Sequence, residues 1–213
     1  MASMDFHLYW WVFPALSVFT AGLGIALIPV AIRAELTDHP GERKVHEGVT
    51  SLTGGPAIFL ALFAFLYFNM SGQPFVQALL AGATLIFITG LADDRQHVNP
   101  VLRVAVQVLA CAIMIFHGDT RLDHMGKLFV NELIGLSVMT IPITVFAAIG
   151  VINAFNMIDG IDGLSGGIFV VAAGGMAMFA GAAGAYVVYW VLIASLFAVL
   201  GFLVLNARFP WYP

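Results

Sequence analysis

The sequence predicts an all-α fold, a polytopic transmembrane helical bundle of about seven spans, with residues 1–213 forming a single transmembrane domain. Hydrophobic residues make up 61% of the 213 residues and charged residues only 9%, and the mean hydropathy is +0.99. A soluble domain is about half apolar and about a quarter charged. The chain also contains a series of uncharged stretches, and about 20 apolar residues are enough to cross a bilayer.

Two of the uncharged stretches, residues 48–92 and 163–207, are each long enough for two helices. Turn-forming residues at 71–74 and 181–184 divide them. The first segment has neither the cationic region nor the cleavage site of a signal peptide, so we expect it to be retained. The uncharged segments are Leu8–Ile32, Gly48–Ala92 as two helices, Pro100–Phe116, Leu133–Ile152, and Gly163–Ala207 as two helices.

Span parity and basic residues predict the same orientation. The loop at 33–47, the pair at 93–94, the segment 153–162 and the C-terminal tail are each separated from the next by two spans, so all four emerge on one face. The positive-inside rule makes this face cytoplasmic and the N-terminus periplasmic. The net charge of -4 argues against nucleic acid as a partner. Basic residues on the cytoplasmic side are Arg33, Arg43, Lys44, Arg95, Arg103 and Arg208, against Arg121 and Lys127 on the other.

Two adjacent aspartates, Asp93 and Asp94, end an apolar run. An aspartate costs about 2.5–3.5 kcal/mol at the centre of a span and less near the interface, so apolar packing does not explain the pair. Ordinary loop charges at the end of a helix are the simpler alternative. Adjacent carboxylates repel each other unless a cation compensates, and Mg²⁺ binds one or two carboxylates together with substrate phosphates. The pair therefore indicates a metal site. Arg95 and Arg103 are neighbouring cations that can share this task, and Arg95 is equally explained by the positive-inside rule.

The most specific stretch of the chain runs from Asn153 to Leu164. Its polar residues recur every third position, so in a helix they share one stripe. Carboxamides and carboxylates together suit hydrogen bonding to a base or a sugar, and also metal binding. The four residues of the stripe are Asn153, Asn156, Asp159 and Asp162.

The first cytoplasmic loop carries Arg43, Lys44 and His46. These side chains suit phosphate oxygens, although a solvated basic loop is an equally simple interpretation. The glycine pair that follows, Gly54 and Gly55, is explained by close packing of helices.

The order of these motifs resembles the polyprenyl-phosphate N-acetylhexosamine-1-phosphate transferases of the glycosyltransferase family 4 type. The resemblance covers residues 10–213 and is strongest with the bacterial undecaprenyl-phosphate GlcNAc-1-phosphate transferases. It is carried by D-x-P-x-x-R-K-x-H from Asp38 to His46, by the aspartate pair, and by NAFNMIDGIDGL from Asn153 to Leu164.

The resemblance implies an enzyme that transfers a sugar 1-phosphate from a UDP-sugar to undecaprenyl phosphate, releases UMP, and uses Mg²⁺ or Mn²⁺. It implies a multi-pass protein of the bacterial inner membrane, active at the cytoplasmic face, that starts a lipid-linked cell-envelope glycan. A homodimer is left open. The residue roles it implies are catalysis and metal binding for Asp93 and Asp94, and substrate binding for Arg43, Lys44, His46, Asn153, Asn156, Asp159 and Asp162.

Three departures from the family pattern bear on these expectations. Ser51 stands where the family usually has proline, and His97 stands where a third acidic residue often follows the pair. The family also continues beyond a segment like 206–213 with a further aspartate motif and a histidine-rich loop. The sequence is therefore expected to be a fragment of a longer enzyme or a natural truncation.

Two other functions remain open from the sequence. An inactive remnant or membrane partner would keep the motifs without the activity. An ion-coupled transporter also carries intramembrane acids, but it holds them near the bilayer midplane, whereas the aspartate motifs here fall at the ends of spans.

Overall fold

The computed structural model describes residues 10–34, 36–38, 50–126, 134–158 and 163–206. In these ranges the protein is helical apart from turns, loops and one pair of two-residue strands, which the all-α prediction did not include. The elements are α1 (Val12–Ala26), α2 (Ile28–Arg33), β1 (Thr37–Asp38), β2 (Thr50–Ser51), α3 (Gly54–Met70), α4 (Pro74–Gln96), α5 (Pro100–Phe116), a 3₁₀ turn (Ser137–Met139), α6 (Thr140–Ile158), α7 (Leu164–Ala182) and α8 (Tyr186–Asn206).

The first predicted span contains a break that the sequence prediction did not include. Helix α1 ends at Ala26 and α2 begins at Ile28. Pro29 lies in the first turn of α2 and has no backbone N–H, so the carbonyl four residues earlier loses its helical partner. Backbone bonding continues around this point, because Leu27 N–H donates to Leu23 O at 2.9 Å. Together α1 and α2 therefore form one apolar segment, interrupted at its proline.

Both predicted turns are confirmed. Helix α3 ends at Met70, and α4 begins at Pro74, where a missing N–H costs nothing because the first turn of a helix has no partner for it. Gly184 adopts φ 72 between α7 and α8, a conformation that glycine reaches without steric cost. Helix α5 has the predicted bounds and is capped by Asn99, whose side chain accepts a hydrogen bond from Val101 N–H at 2.9 Å.

The bounds predicted for the fifth span were wrong. The prediction was Leu133–Ile152, whereas a 3₁₀ turn precedes α6, which continues to Ile158. The helix tolerates Asn153 because its side-chain amide donates to Ile149 O, one turn earlier, at 2.8 Å. The first part of the segment 153–162, which was expected to emerge between two spans, is therefore the C-terminal end of a helix.

Apolar side chains cover the outside of the helices. Five described helical segments are long and apolar enough to cross a membrane, whereas α3 and α5, at 17 residues each, are shorter. No residue of α6 is buried, and Phe146 and Met157 are 80% and 85% exposed. Such a surface is unfavourable in water and favourable in lipid, where a helix also satisfies its own backbone hydrogen bonds. The chain is thus a multi-pass membrane protein.

The chain folds as two compact units, of which one contains α1, α2, α3 as far as Phe68, α7 and α8. Within it, α8 packs against both α1 and α7. Phe13 stacks on Trp190 with ring centroids 5.5 Å apart, and Ser17 Oγ donates to Phe197 O at 2.6 Å. An interhelical hydrogen bond of this kind stabilises helix pairs in lipid, where hydrophobicity cannot.

Glycines allow some of these helices to approach closely, as the sequence predicted. A Cβ at Gly54 would overlap the ring of Phe202, and a Cβ at Gly201 would overlap the backbone carbonyl of Ser17. Gly55 and Gly167, by contrast, face open space. Close packing is therefore confirmed for one residue of the 54–55 pair.

The second unit, Asn69 to Ile158, contains α4, α5 and α6. Helices α4 and α5 pack side by side, with Gly82 against Ala110, and α6 packs against α5. This three-helix arrangement holds the candidate site.

The approach of α1 to α8 gives a stability prediction. Gly201→Ala should lower the midpoint of thermal unfolding in detergent, at a cost of about 1–3 kcal/mol, because the added methyl meets backbone that cannot rotate away. Gly167→Ala is the matched control, since its methyl meets no neighbour within 4 Å. Equal midpoints for the two variants would contradict the close approach.

Candidate active site

Helix α4 ends one turn after the aspartate pair. His97 caps it in the left-handed conformation, with φ 49, and its N–H donates to Asp93 O at 3.1 Å. Histidine is among the residues that adopt this conformation more often than most. His97, which replaces the acidic residue that often follows the pair in the family, therefore has a structural role, since it ends α4 and leads the chain towards α5.

Asp93 joins the end of α4 to the beginning of α5. Its Oδ2 lies 2.7 Å from Arg103 Nη1, and its Oδ1 accepts a hydrogen bond from Val98 N–H at 2.8 Å. The two side chains of the ion pair are 27% and 37% exposed, so water screens the pair only in part. Arg103, one of the two cations that the sequence predicted beside the aspartate pair, thus compensates the charge of Asp93, and its hydrogen bond to Asp93 is charge-assisted.

The ion pair lies at a cleft between α4, α5 and α6. The volume of the cleft is about 260 Å³. It brings together three of the predicted site residues, namely Asp93, Asn153 and Asn156, and all of its lining belongs to the second unit. The lining residues are Ile86, Thr89, Gly90, Asp93, Arg103, Val106, Gln107, Ile152, Asn153 and Asn156.

Gln107 contributes a second polar contact inside the cleft. It lies one turn after Arg103 on α5, and its Oε1 accepts a hydrogen bond from Asn153 Nδ2 at 3.1 Å. Gln107 and Asn153 are 46 residues apart in the chain. This hydrogen bond between two side-chain amides therefore links α5 to α6, as the ion pair links α4 to α5.

Asp94 occupies a different position from Asp93. Successive residues of a helix point about 100° apart, and Asp94 is exposed and is not among the residues that line the cleft. Neighbouring positions in the sequence therefore do not make the two carboxylates equivalent.

The two aspartates suit a hard divalent cation only if the substrate contributes further oxygen ligands. Among the described residues, no group of three or more His, Cys, Asp or Glu side chains lies close enough to bind a metal. Asp93 and Asp94 provide carboxylate oxygens, and Mg²⁺ typically binds one or two such groups and completes its shell with substrate phosphates and water. By number and type the two carboxylates fit that form of binding, with Asp93 lining the cleft and Asp94 outside its lining.

Several predicted site residues lie outside the described ranges, namely Arg43, Lys44, His46, Asp159 and Asp162. For the loop that carries the first three, the structure describes the flanking strands, where β1 pairs antiparallel with β2 and Thr37 lies opposite Ser51. For the polar stripe, it describes Asn153 and Asn156 on α6 and Gly163 with φ 76 before α7. The roles of the five residues stay predictions.

Sequence reasoning missed two polar residues of the cleft, Gln107 and Thr89. Thr89 gave no signal in the sequence, because a threonine inside a span can bond to the backbone of its own helix. Its hydroxyl does so here, donating to Leu85 O at 2.8 Å. Gln107 did give one, as a lone carboxamide in an apolar helix one turn after a cation. A polar residue inside a span is a functional candidate by default.

The helices and the cleft define a multi-pass membrane protein with acidic, basic and carboxamide groups gathered at helix ends. Residues 76–210 match the family described as glycosyl transferase family 4, and the chain belongs to that family. The matched region begins in α4, includes the described cleft and extends past the end of α8.

Similar proteins carry related names. The chain is 32% identical over 178 residues to a probable undecaprenyl-phosphate N-acetylglucosaminyl 1-phosphate transferase of Bacillus subtilis, covering 83% of this chain and 49% of the relative. It is 38% identical over 148 residues to an undecaprenyl-phosphate alpha-N-acetylglucosaminyl 1-phosphate transferase of Yersinia pestis, covering 69% and 40%. The enzyme of that name from Escherichia coli K12 is 30% identical over 180 residues, covering 83% and 48%. The chain spans about half the length of the curated relatives it matches, or less.

The two contacts of Asp93 give a second prediction. Asp93→Ala removes both the ion pair and the hydrogen bond to Val98 N–H, whereas Arg103→Met removes only the ion pair. We expect Asp93→Ala to lower the midpoint of thermal unfolding more than Arg103→Met does.

A double-mutant cycle isolates the ion pair, and we expect a coupling energy of about 0.5–1 kcal/mol, since both partners are partly exposed. A coupling energy of zero would contradict a stabilising ion pair between the two side chains.

Proposed function

We propose that the protein takes part in transferring a GlcNAc-1-phosphate-type group from a UDP-sugar to undecaprenyl phosphate, with release of UMP. The product is a lipid-linked sugar that starts a cell-envelope glycan. The observation that carries the proposal is the cleft in which Asp93, Arg103, Asn153 and Asn156 meet, within the stretch that matches the family.

Both substrates of this reaction are phosphates, so their mutual repulsion has to be reduced before they can react. Arg103 lies at the cleft with a guanidinium that has five N–H donors. One of these donates to Asp93, and the geometry of the group suits phosphate oxygens as well as carboxylates. Arg103 can therefore hold a phosphate while Asp93 keeps the guanidinium in place. Fixed cations of this kind stabilise the charge that develops during phosphoryl transfer.

A divalent cation, Mg²⁺ or Mn²⁺, belongs to the same proposal, with Asp93 and Asp94 as its protein ligands. When bound, it would neutralise charge on the diphosphate and stabilise the departing UMP. Asp94 lies exposed in the last turn of α4, next to Asp93.

The bond changes are those of a phosphoryl transfer. An oxygen of the lipid phosphate attacks the phosphorus next to the sugar, the bond from that phosphorus to the bridging oxygen breaks, and UMP leaves with the electron pair. The lipid phosphate is largely ionised at neutral pH, since the second pKa of a phosphate monoester is about 6. The chain's own residues therefore have to bind and align the substrates more than they have to remove a proton.

The remaining site residues take the roles that the resemblance implies. We assign Asn153, Asn156, Asp159 and Asp162 to the nucleotide sugar. Arg43, Lys44 and His46 are assigned to phosphate binding beside the nucleotide.

The proposed orientation has seven spans, a periplasmic N-terminus and the reaction at the cytoplasmic face of the inner membrane. The basic residues support it through the positive-inside rule. Its two shortest spans are α3 and α5, about 25 Å long each, against a hydrocarbon layer of about 30 Å. Arg103 lies in the first turn of α5, where a long cationic side chain reaches the interface.

Transfer of label from radiolabelled UDP-GlcNAc to undecaprenyl phosphate, with Mg²⁺ present, tests the activity. We expect a lipid-linked product from the wild-type chain, and at least a 100-fold lower rate for Asp94→Asn, since losing a metal ligand or a comparable electrostatic group typically costs about 10²–10³. Asp119→Asn is the matched control, because Asp119 is 84% exposed in a loop outside the cleft.

Absence of product from well-folded wild-type protein would favour the inactive remnant. Uptake of a cation by proteoliposomes without product would favour the transporter.

Labelling with a membrane-impermeant maleimide in intact cells tests the orientation. In a Cys111→Ala background, a cysteine at His97 should be protected and one at Asp119 should react. Both positions are exposed, and His97 lies before the first residue of α5 whereas Asp119 lies after its last. A cysteine at Asp159 should be protected as well. Labelling of Asp159→Cys together with protection of His97→Cys would contradict a shared cytoplasmic face.

A further inference from the structure

We infer that Gln107 is a positioning residue for the sugar nucleotide, acting by holding the amide of Asn153 so that Asn153 Oδ1 faces the cleft as a hydrogen-bond acceptor. The inference rests on the proposed function and extends it, because it names the substrate that this part of the cleft recognises.

Gln107 is out of place as a packing residue. Helix α5 is apolar apart from Arg103, Gln107 and the buried Cys111. A carboxamide in an apolar span is unfavourable unless it is hydrogen-bonded, and an aliphatic side chain would fill the same volume without that requirement. Gln107 lies on the same face of α5 as Arg103, one turn away, and both line the cleft.

The hydrogen bonds of Asn153 determine which of its atoms is left for a ligand. A carboxamide has two N–H donors on its nitrogen and an acceptor oxygen. Asn153 Nδ2 donates to Gln107 Oε1 at 3.1 Å and to Ile149 O at 2.8 Å. Both donors are therefore used, and Oδ1 is the polar atom that Asn153 can offer to the cleft.

Gln107 adds what the bond to Ile149 cannot provide. A single hydrogen bond lets an amide rotate about it, whereas two bonds from one nitrogen to acceptors on different helices fix the plane of the amide. The bond to Gln107 also links α6 to the helix that carries Arg103. Cation and acceptor are thus held at a set separation on two walls of the cleft.

An acceptor in this place distinguishes the two substrates. A UDP-sugar has N–H and O–H donors on its base, ribose and sugar, whereas the lipid phosphate is an ionised phosphate on a hydrocarbon chain with essentially no donor. Asn153 Oδ1 therefore recognises the sugar nucleotide, and loss of Gln107 should weaken that substrate alone.

Gln107→Met tests the inference, because methionine matches the shape of glutamine and has no strong acceptor. We expect about a 5- to 10-fold higher KM for UDP-GlcNAc, and a similarly higher Kd for it in nanodiscs with Mg²⁺, as follows from losing one hydrogen bond. The kcat and the KM for undecaprenyl phosphate should stay within about twofold of wild type. In an Asn153→Leu background, Gln107→Met should have no further effect, since Gln107 acts through Asn153.

Gln77→Met is the matched control. Gln77 also lies in the second unit and has two side-chain contacts, with Ser71 O at 2.7 Å and His117 Nε2 at 2.9 Å, but it does not line the cleft. It should leave both KM values unchanged. Its unfolding midpoint shows what an ordinary glutamine contact contributes to stability.

Three results would each overturn the role of Gln107 and leave the proposed function intact. They are equal increases of both KM values, an unchanged Kd for UDP-GlcNAc, and full additivity with Asn153→Leu. A folded wild-type chain that neither binds UDP-GlcNAc nor forms product would overturn the proposed function, and this inference with it. A lower unfolding midpoint for Gln107→Met with unchanged kinetics would reduce Gln107 to a structural contact.

Discussion

A carboxylate at the end of an apolar helix needs a partner, and the described part of the site is built around the partner that Asp93 has. The ion pair with Arg103 and the hydrogen bond from Val98 N–H use both carboxylate oxygens. They fix the turn between α4 and α5, and this turn sets the direction in which the face shared by Arg103 and Gln107 points. The polar lining of the cleft depends on that geometry.

Lipid changes which contacts hold the helices together. Apolar faces gain little by leaving lipid, so helix pairs associate through close packing and through interhelical hydrogen bonds. In the first unit this is the contact of Ser17 with Phe197 and of Gly201 with Ser17. In the second unit, Asp93–Arg103 and Gln107–Asn153 join three helices and also form the candidate site. The contacts that hold the second unit together therefore belong to the candidate site as well, so a loss of activity in a variant there has to be compared with an unfolding measurement.

The candidate site divides into two kinds of chemistry. The ends of α4 and α5 carry charge, which suits phosphates and a divalent cation. The end of α6 carries carboxamides, which suit the donors of a base or a sugar. The proposed reaction, which joins a nucleotide sugar to a lipid phosphate, requires both. In the inferred role Asn153 is an acceptor, because its nitrogen already donates to Gln107 and Ile149.

The sequence by itself determined the class of the protein, most helices, both turns, and the motif residues that resemble the family. These features are local, because the length of an apolar run, a proline or a glycine acts on its own stretch of chain. The end of α6 at Ile158, where Asn153 bonds within its own helix, was not predicted. The break in the first span was not predicted either, although Pro29 is a local signal for it. Only the tertiary structure decided that Asp93 lines the cleft while Asp94 does not, and that Gln107 meets Asn153. Those outcomes depend on how α4, α5 and α6 are rotated against one another, and contacts between residues 46 positions apart leave no periodic signal in the chain.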